Sequence, residues 1–223
     1  MAARALSRLD WHLRIGTAAP SLAGGGVRSG LTLAVMLGMA YGATMGSFGG
    51  ISLERLRQIA YSAVKVPLLF LLTLAICLPS FFVLNTIAGV RGDFREVLRA
   101  LLLSQAALAI VLAALAPYTA LWYVSSENYA AAVLFNGAMF AAASAAAQML
   151  LLRLYRPLME RNRRHRLLWA IWLVLYIFVG IQLAWVLRPY VGALGLPTRF
   201  FREESWSNAY LAIARIVARA LAG

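Results

Sequence analysis

Residues 66–88 read VPLLFLLTLAICLPSFFVLNTIA, and this stretch decides the class of the protein. The run contains no Asp, Glu, Lys, Arg or His. An α-helix needs about 20 mostly apolar residues, at a rise of about 1.5 Å each, to cross the hydrocarbon core of a bilayer. The length and neutrality of the run therefore predict a transmembrane helix.

Four further stretches of the same kind lie at 30–50, 100–124, 129–152 and 167–187, and none of them contains a charged residue or histidine. They lack the period-two alternation of a transmembrane β-barrel. Five neutral helices would also leave a soluble protein too little polar surface to cover them. We therefore predict an all-α, polytopic transmembrane helix bundle with about five spans.

The chain has three parts: a segment before the spans, the bundle of spans and a segment after them. Residues 1–29 form a basic N-terminal segment, 30–187 form the bundle, and 188–223 form a turn-rich segment that ends in a helix. Apolar residues recur at helical spacing over 205–222, with arginines on another face, which predicts an amphipathic helix on the membrane surface. The mixed stretch 52–64 receives a similar prediction, and packing against the bundle remains open for both stretches.

The charge distribution predicts the orientation. The net charge is +13, which in a soluble protein would indicate nucleic acid, but here the arginines flank apolar spans and no nucleic-acid partner is expected. The loop 153–166 holds six arginines and the loop 125–128 holds none. The positive-inside rule then places the N-terminus in the cytoplasm and the C-terminus outside, as in a bacterial inner membrane. We expect the 153–166 loop to contact anionic lipid headgroups.

Three glycines, Gly38, Gly42 and Gly46, recur at four-residue spacing in the first span. This spacing places them on one helix face, where another backbone can approach closely. Two explanations remain open: packing within the same bundle, and a homo- or hetero-oligomer contact. Gly137 and Ala141 form a similar small-residue face in the fourth span.

Five amides lie within the spans. Asn85, Gln105 and Gln148 fall toward the predicted cytoplasmic side, and Asn136 and Gln182 fall toward the outer side. A buried amide in hydrocarbon needs a hydrogen-bond partner. Their depths predict that Asn136 and Gln182 pair with each other, or that one of them serves the carbonyl freed by Pro117 at similar depth on the third span. A structural role and a polar pathway for a solute both remain open.

The sequence offers little chemistry. The one cysteine, Cys77, lies in an apolar run, and no His, Cys or carboxylate group has metal-ligand spacing, so we predict neither a metal nor a cofactor. Catalytic triads, paired carboxylates and nucleotide-binding glycine patterns are all missing from the sequence. An enzyme working at the membrane interface would have to use Glu127, Glu203 or Glu204.

The plan of five close-packed spans, a basic last internal loop and an external C-terminus is similar to that of Yip1-type membrane proteins. The stretches VPLLFLLTLAICLPSFFVLN, VLFNGAMF and WVLRPYVG also resemble uncharacterised bacterial multi-pass proteins. The resemblance covers about half of the chain, implies a membrane location and carries over no functional residue.

These observations predict a non-enzymatic scaffold or accessory subunit of a membrane assembly. A channel or transporter for a small neutral or weakly polar solute is the first alternative. A membrane-embedded lipid-modifying enzyme is the second.

Overall fold

The computed structural model describes residues 26–192 except 51 and 54, together with 200 and 201; the side chains of 26–28 are not described. Five α-helices follow one another in this part: α1 Gly26–Gly46, α2 Leu56–Ile87, α3 Phe94–Ser125, α4 Tyr129–Arg161 and α5 Arg164–Val186. A 3₁₀ turn, Arg91–Asp93, precedes α3, and the described residues contain no strand. The predicted all-α class is confirmed.

All five helices are long and apolar enough to cross a membrane, so the described part of the chain contains five candidate spans, as predicted. Helices α2, α3 and α4 contain 32, 32 and 33 residues. At about 1.5 Å per residue each is about 48 Å long, more than the roughly 30 Å hydrocarbon core. These helices must therefore be tilted in the membrane, or their ends must project beyond the hydrocarbon.

The stretch 52–64 does not form a separate surface helix, and its helical part packs on the bundle, which was the alternative left open. Helix α2 begins at Leu56 and continues without a break into the span. Gln58, Ser62 and Lys65, which made this stretch look polar, are buried. Their hydrogen-bond partners lie more than 120 residues further along the chain. The helix predicted at 205–222 lies outside the described residues.

The helices are arranged as an open ring in the order α5, α2, α1, α3 and α4. Helix α1 packs along both α2 and α3, whereas α4 and α5 contact each other much less, although only a short turn joins them. We call the end that carries the connections 88–93 and 162–163 the basic end, and the opposite end the far end. Along the helix axes the bundle divides into a half next to the basic end, the basic half, and a half next to the far end, the far half. Each half has its own cluster of buried apolar side chains.

The glycine face of α1 is filled by α2 of the same chain. A Cβ atom added at Gly42 would lie 2.8 Å from the Cα atom of Ala63, and one at Gly46 would lie 2.8 Å from the Cα atom of Ile59. A Cβ atom at Gly38 would lie 3.0 Å from the ring of Phe70. These separations are shorter than van der Waals contact, so the missing side chains allow the two backbones to touch.

Candidate functional site

Asn136 is the centre of a buried hydrogen-bond network in the far half of the ring. Its Nδ2 atom donates to the hydroxyl of Tyr123 at 2.6 Å and to the carbonyl of Ala132 at 2.8 Å, and its Oδ1 atom accepts from the hydroxyl of Tyr41 at 3.2 Å. The network joins α1, α3 and α4. Gln182, the partner predicted from depth, is not among these three groups.

The network continues at both ends and closes on the main chain. The Thr119 hydroxyl donates to the Tyr41 hydroxyl at 3.4 Å, and the Tyr123 hydroxyl donates to the carbonyl of Met45 at 3.2 Å. Every side-chain donor in the network therefore has an acceptor within the protein. Complete hydrogen bonding of this kind is typical of buried polar groups that fix the packing of a core.

The segment 189–192, which follows α5, is held at the far end by side chains from distant parts of the chain. Each of its four carbonyls accepts a hydrogen bond from a side chain: Pro189 from Lys65, Tyr190 from Gln58 and Ser62, Val191 from Tyr129, and Gly192 from Arg55. Val191 belongs to the far-half core. Burial raises the pKa of Tyr190, so its phenol stays neutral. The segment thus links the start of α2 to the start of α4 at the far end.

Lys65 is a buried charged residue near the start of α2. Its side chain is 0% exposed, and its ammonium group donates to the carbonyl of Pro189 at 2.8 Å and lies 4.8 Å from the ring centre of Phe200. The spacing of Gln58, Ser62 and Lys65 places them on one face of a helix, and that pattern is the signal that would have identified this polar face.

The amides of the basic half find partners other than each other. Gln105 accepts a hydrogen bond from the Tyr176 hydroxyl at 2.8 Å, which joins α3 to α5. Asn85 donates to the carbonyl of Phe81 in its own helix at 2.8 Å. The Oε1 atom of Gln148 is buried without a hydrogen-bond partner among the described residues. The two amide layers predicted from depth therefore do not form amide–amide pairs through these contacts.

Further buried polar atoms of the basic half lack a hydrogen-bond partner in the described part of the chain. They include the Oδ1 atom of Asn85, the hydroxyl of Tyr155 and the indole nitrogen of Trp172. These three side chains come from α2, α4 and α5 and are at most 1% exposed. Unpartnered buried atoms also occur in the described residues of the far half, at the Nε atom of Arg55, the indole nitrogen of Trp122 and the hydroxyl of Tyr190.

A compact group of charged side chains joins the two connections at the basic end. Its contacts are His165 to Asp93 at 2.9 Å, Arg161 to Asp93 at 3.4 Å, Arg161 to Glu96 at 2.6 Å, and Arg164 to the carbonyl of Ala88 at 2.6 Å. Exposed ion pairs contribute little stability singly, but His165 is fully buried here, against the ring of Tyr155. The group fixes the start of α5 against the α2–α3 connection.

The small-residue face predicted on α4 lies on the outside of the ring. Gly137 and Ala141 are exposed, and so is Ala145 one turn further on. A Cβ atom added at Gly137 would meet no described atom within 4 Å. This face therefore differs from the glycine face of α1, because no described residue covers it.

The described residues contain no group of three or more His, Cys, Asp or Glu side chains that could hold a metal ion. Glu127 is exposed in the α3–α4 connection, and Glu203 and Glu204 lie outside the described residues. The part of the structure that is described thus offers no observation in favour of the lipid-modifying enzyme.

The chain matches no protein-family model, no curated protein and no solved structure. The resemblance to Yip1-type proteins therefore stays a prediction from the plan of the spans.

Proposed function

We propose that this chain is a non-enzymatic scaffold or accessory subunit, and that the exposed face of α4 holds a transmembrane helix of another subunit. The observation that carries the proposal is the uncovered row of Gly137, Ala141 and Ala145 at four-residue spacing. Lipid gives helices no hydrophobic reason to associate, so close van der Waals packing on small residues drives their contact. Such a row on the outside of a bundle suits a partner helix better than it suits mobile acyl chains.

The chain itself provides the precedent for this mode of contact. Gly38, Gly42 and Gly46 have the same spacing on α1 and receive α2 at backbone contact. Larger exposed side chains lie at the two ends of this face on α4: Leu134, which is 75% exposed, and Met149, which is 56% exposed. A partner helix could therefore pack against the small residues of α4 between Leu134 and Met149 and contact these two larger side chains at either end.

The far half of the ring supports the same proposal. A docking subunit needs a rigid surface, and the hydrogen bonds of Asn136 fix α4 against α1 and α3. The carbonyl of Val191 accepts from Tyr129 at the first residue of α4 and adds a second attachment. We further propose that the basic end faces the cytoplasm of a bacterium, because the helix ends beside its connections are rich in arginine.

Crosslinking in native membranes tests the proposal. A photoactivatable group placed on Ala141→Cys, in a Cys77→Ser background, should crosslink to a discrete partner protein identified by mass spectrometry. The matched control is Val174→Cys on α5, where the native side chain is 68% exposed, and it should yield lipid adducts. Self-crosslinking at position 141 would identify the partner as a second copy. Equal, diffuse labelling at both positions would contradict the proposal.

A transporter for a small polar solute is the second candidate. The observation that favours it is the set of buried, unpartnered polar atoms of Asn85, Tyr155 and Trp172 among the described residues of the basic half. A continuous pathway would also have to pass the satisfied network of Asn136 and the 189–192 segment. Solute flux into proteoliposomes that Asn85→Leu abolishes would favour this candidate. Impermeable proteoliposomes across neutral solute classes would exclude it.

A further inference from the structure

Four buried side chains of the basic half each carry a polar atom that has no hydrogen-bond partner in the described part of the chain. They are the Oδ1 atom of Asn85, the hydroxyl of Tyr155, the Nδ1 atom of His165 and the indole nitrogen of Trp172. We call these four side chains the inner polar cluster. Each of them is at most 1% exposed, whereas the three far-half residues with such atoms named above are partly exposed.

Contacts between α2 and α5 fix the position of Asn85 in this cluster. The ring centres of Phe81 and Trp172 are 5.0 Å apart. Further along α2, the carbonyl of Ala88 accepts a hydrogen bond from Arg164 at 2.6 Å. The two helices are therefore antiparallel, and Asn85, which lies between the two contacts along α2, faces the stretch of α5 between Arg164 and Trp172. Its Nδ2 atom is bonded to the carbonyl of Phe81, so Oδ1 is the atom left for a further contact.

Helix α4 completes the cluster from the other side of α5. The rings of Tyr155 and His165 meet edge to face, with their centres 6.0 Å apart. His165 and Trp172 lie on the same buried face of α5, about two turns or about 10 Å apart. The cluster thus joins α2, α4 and α5, and it lies where the ring is most open, because α4 and α5 contact each other much less than other neighbouring helices do.

The four polar atoms include both donors and acceptors. The indole nitrogen of Trp172 only donates, the Oδ1 atom of Asn85 only accepts, and the hydroxyl of Tyr155 does either. Neutral His165 that donates from Nε2 to Asp93, at 2.9 Å, presents Nδ1 as an acceptor. A ligand that satisfies the cluster must therefore both donate and accept hydrogen bonds.

We propose that the inner polar cluster binds a small neutral molecule that both donates and accepts hydrogen bonds. Buried polar atoms without partners are costly, above all in hydrocarbon, and bound molecules such as internal water commonly satisfy them. An ionised ligand would need a free counter-charge, but Asp93, the charged group in contact with the cluster, is already paired with Arg161 at 3.4 Å. Water, a short polyol and a primary amide share the required chemistry.

The ligand reaches the cluster from the basic end. The side chain of Asp93 is 28% exposed there and is bonded to His165, so a polar contact leads from the surface to the cluster. Binding requires neither the docking role proposed for α4 nor passage across the membrane. The transport candidate can therefore fail in flux experiments while this site stands.

Radiolytic labelling of the purified full chain in lipid nanodiscs tests the site. Hydroxyl radicals formed from water by X-rays modify aromatic side chains that lie next to a water molecule, and mass spectrometry locates the modified residues. Tyr155 and Trp172 should be modified several times faster than Tyr41. Tyr41 is the matched control, because it is 0% exposed and its hydroxyl is bonded to Asn136. Labelling of the cluster as slow as that of Tyr41 would show a dry interior and overturn the proposal.

Tyr155→Phe gives a second, independent readout. In an occupied site the variant loses a hydrogen bond, so it should unfold at a lower concentration of sodium dodecyl sulfate than the wild type. In a dry cluster it would instead lose an unsatisfied polar atom and unfold at a higher concentration, which would overturn the proposal. Tyr118→Phe, at a position 62% exposed on α3, is the control and should not shift the transition. If Tyr155→Phe does not fold, the labelling of the wild type decides alone.

Saturation-transfer NMR with glycerol and acetamide identifies the occupant. Transfer to either probe that is present with the wild type and lost with Tyr155→Phe would support a site for a solute of that class. Fast labelling of Tyr155 without transfer to either probe would support the site with water as its occupant. Transfer that Tyr155→Phe leaves unchanged, together with slow labelling, would place solute binding elsewhere and overturn the proposal.

Discussion

Replacing Gly42 with alanine should destabilise the bundle, because the added methyl group has no space. Its carbon would lie 2.8 Å from the Cα atom of Ala63, whereas carbon atoms in contact are about 3.5–4.0 Å apart. Helices α1 and α2 must then separate by roughly 1 Å. That separation would also loosen the neighbouring contacts of Gly38 and Gly46.

The expected change in the free energy of unfolding is the difference between two opposing effects. Overpacking of this kind costs about 1–3 kcal/mol. Alanine in place of glycine returns up to about 1 kcal/mol through its higher helix propensity. Overpacking prevails because backbone atoms, which cannot rotate away, line the site. We therefore expect a net loss of about 1–2 kcal/mol, or roughly a tenfold shift of the unfolding equilibrium.

The matched control is Gly137→Ala. A Cβ atom at Gly137 meets no described atom within 4 Å, so the control gains helix propensity without a steric cost and should be neutral or slightly more stable. Reversible unfolding of the purified monomer by sodium dodecyl sulfate, followed through the fluorescence of the six tryptophans, compares the two variants. Equal effects at the two positions would refute the assigned contact between α1 and α2.

Three further changes test other parts of the fold. Asn136→Leu should cost about 1–2 kcal/mol in the same unfolding assay, and its combination with Tyr123→Phe should cost less than the sum of the two single losses, since the two groups share one hydrogen bond; additive losses would contradict the network. Lys65→Met should destabilise by about 1–3 kcal/mol and increase proteolysis near 189–192, because the Pro189 carbonyl loses its donor; unchanged digestion would argue against this attachment. In a cysteine-free background, Ser126→Cys should react with an impermeant reagent on intact cells and Arg163→Cys should not; the reverse would invert the proposed orientation.

The number of spans could be predicted because it depends on a local property. A charge-free run of sufficient length, such as 66–88, has few alternatives to a membrane helix. The start of α2 could not be predicted in the same way. Lys65 looks like a surface residue until its acceptor, the carbonyl of Pro189, is known. That contact joins residues far apart in the chain, and hydropathy contains no information about it.

The partner of Asn136 shows a different limit. The depth argument considered only Gln182 and the carbonyl freed by Pro117 as partners. Tyrosine hydroxyls in apolar segments need hydrogen bonds as well, and Tyr41 and Tyr123 both lay within predicted spans. A complete count of donors and acceptors would have made them candidates. The order of the helices around the ring, which brings α1 between α2 and α3, still required the structure.

The proposed docking on α4 has a direct test in the co-purification of the intact assembly. Ala141→Trp fills the small-residue face from outside without entering the ring, because Ala141 is exposed. After mild solubilisation the wild-type chain should migrate with its partner, and Ala141→Trp should migrate at the size of the lone chain. Val174→Trp, on the exposed side of α5, should keep the partner. An Ala141→Trp variant that retains the partner at wild-type stoichiometry would contradict the proposed role of α4.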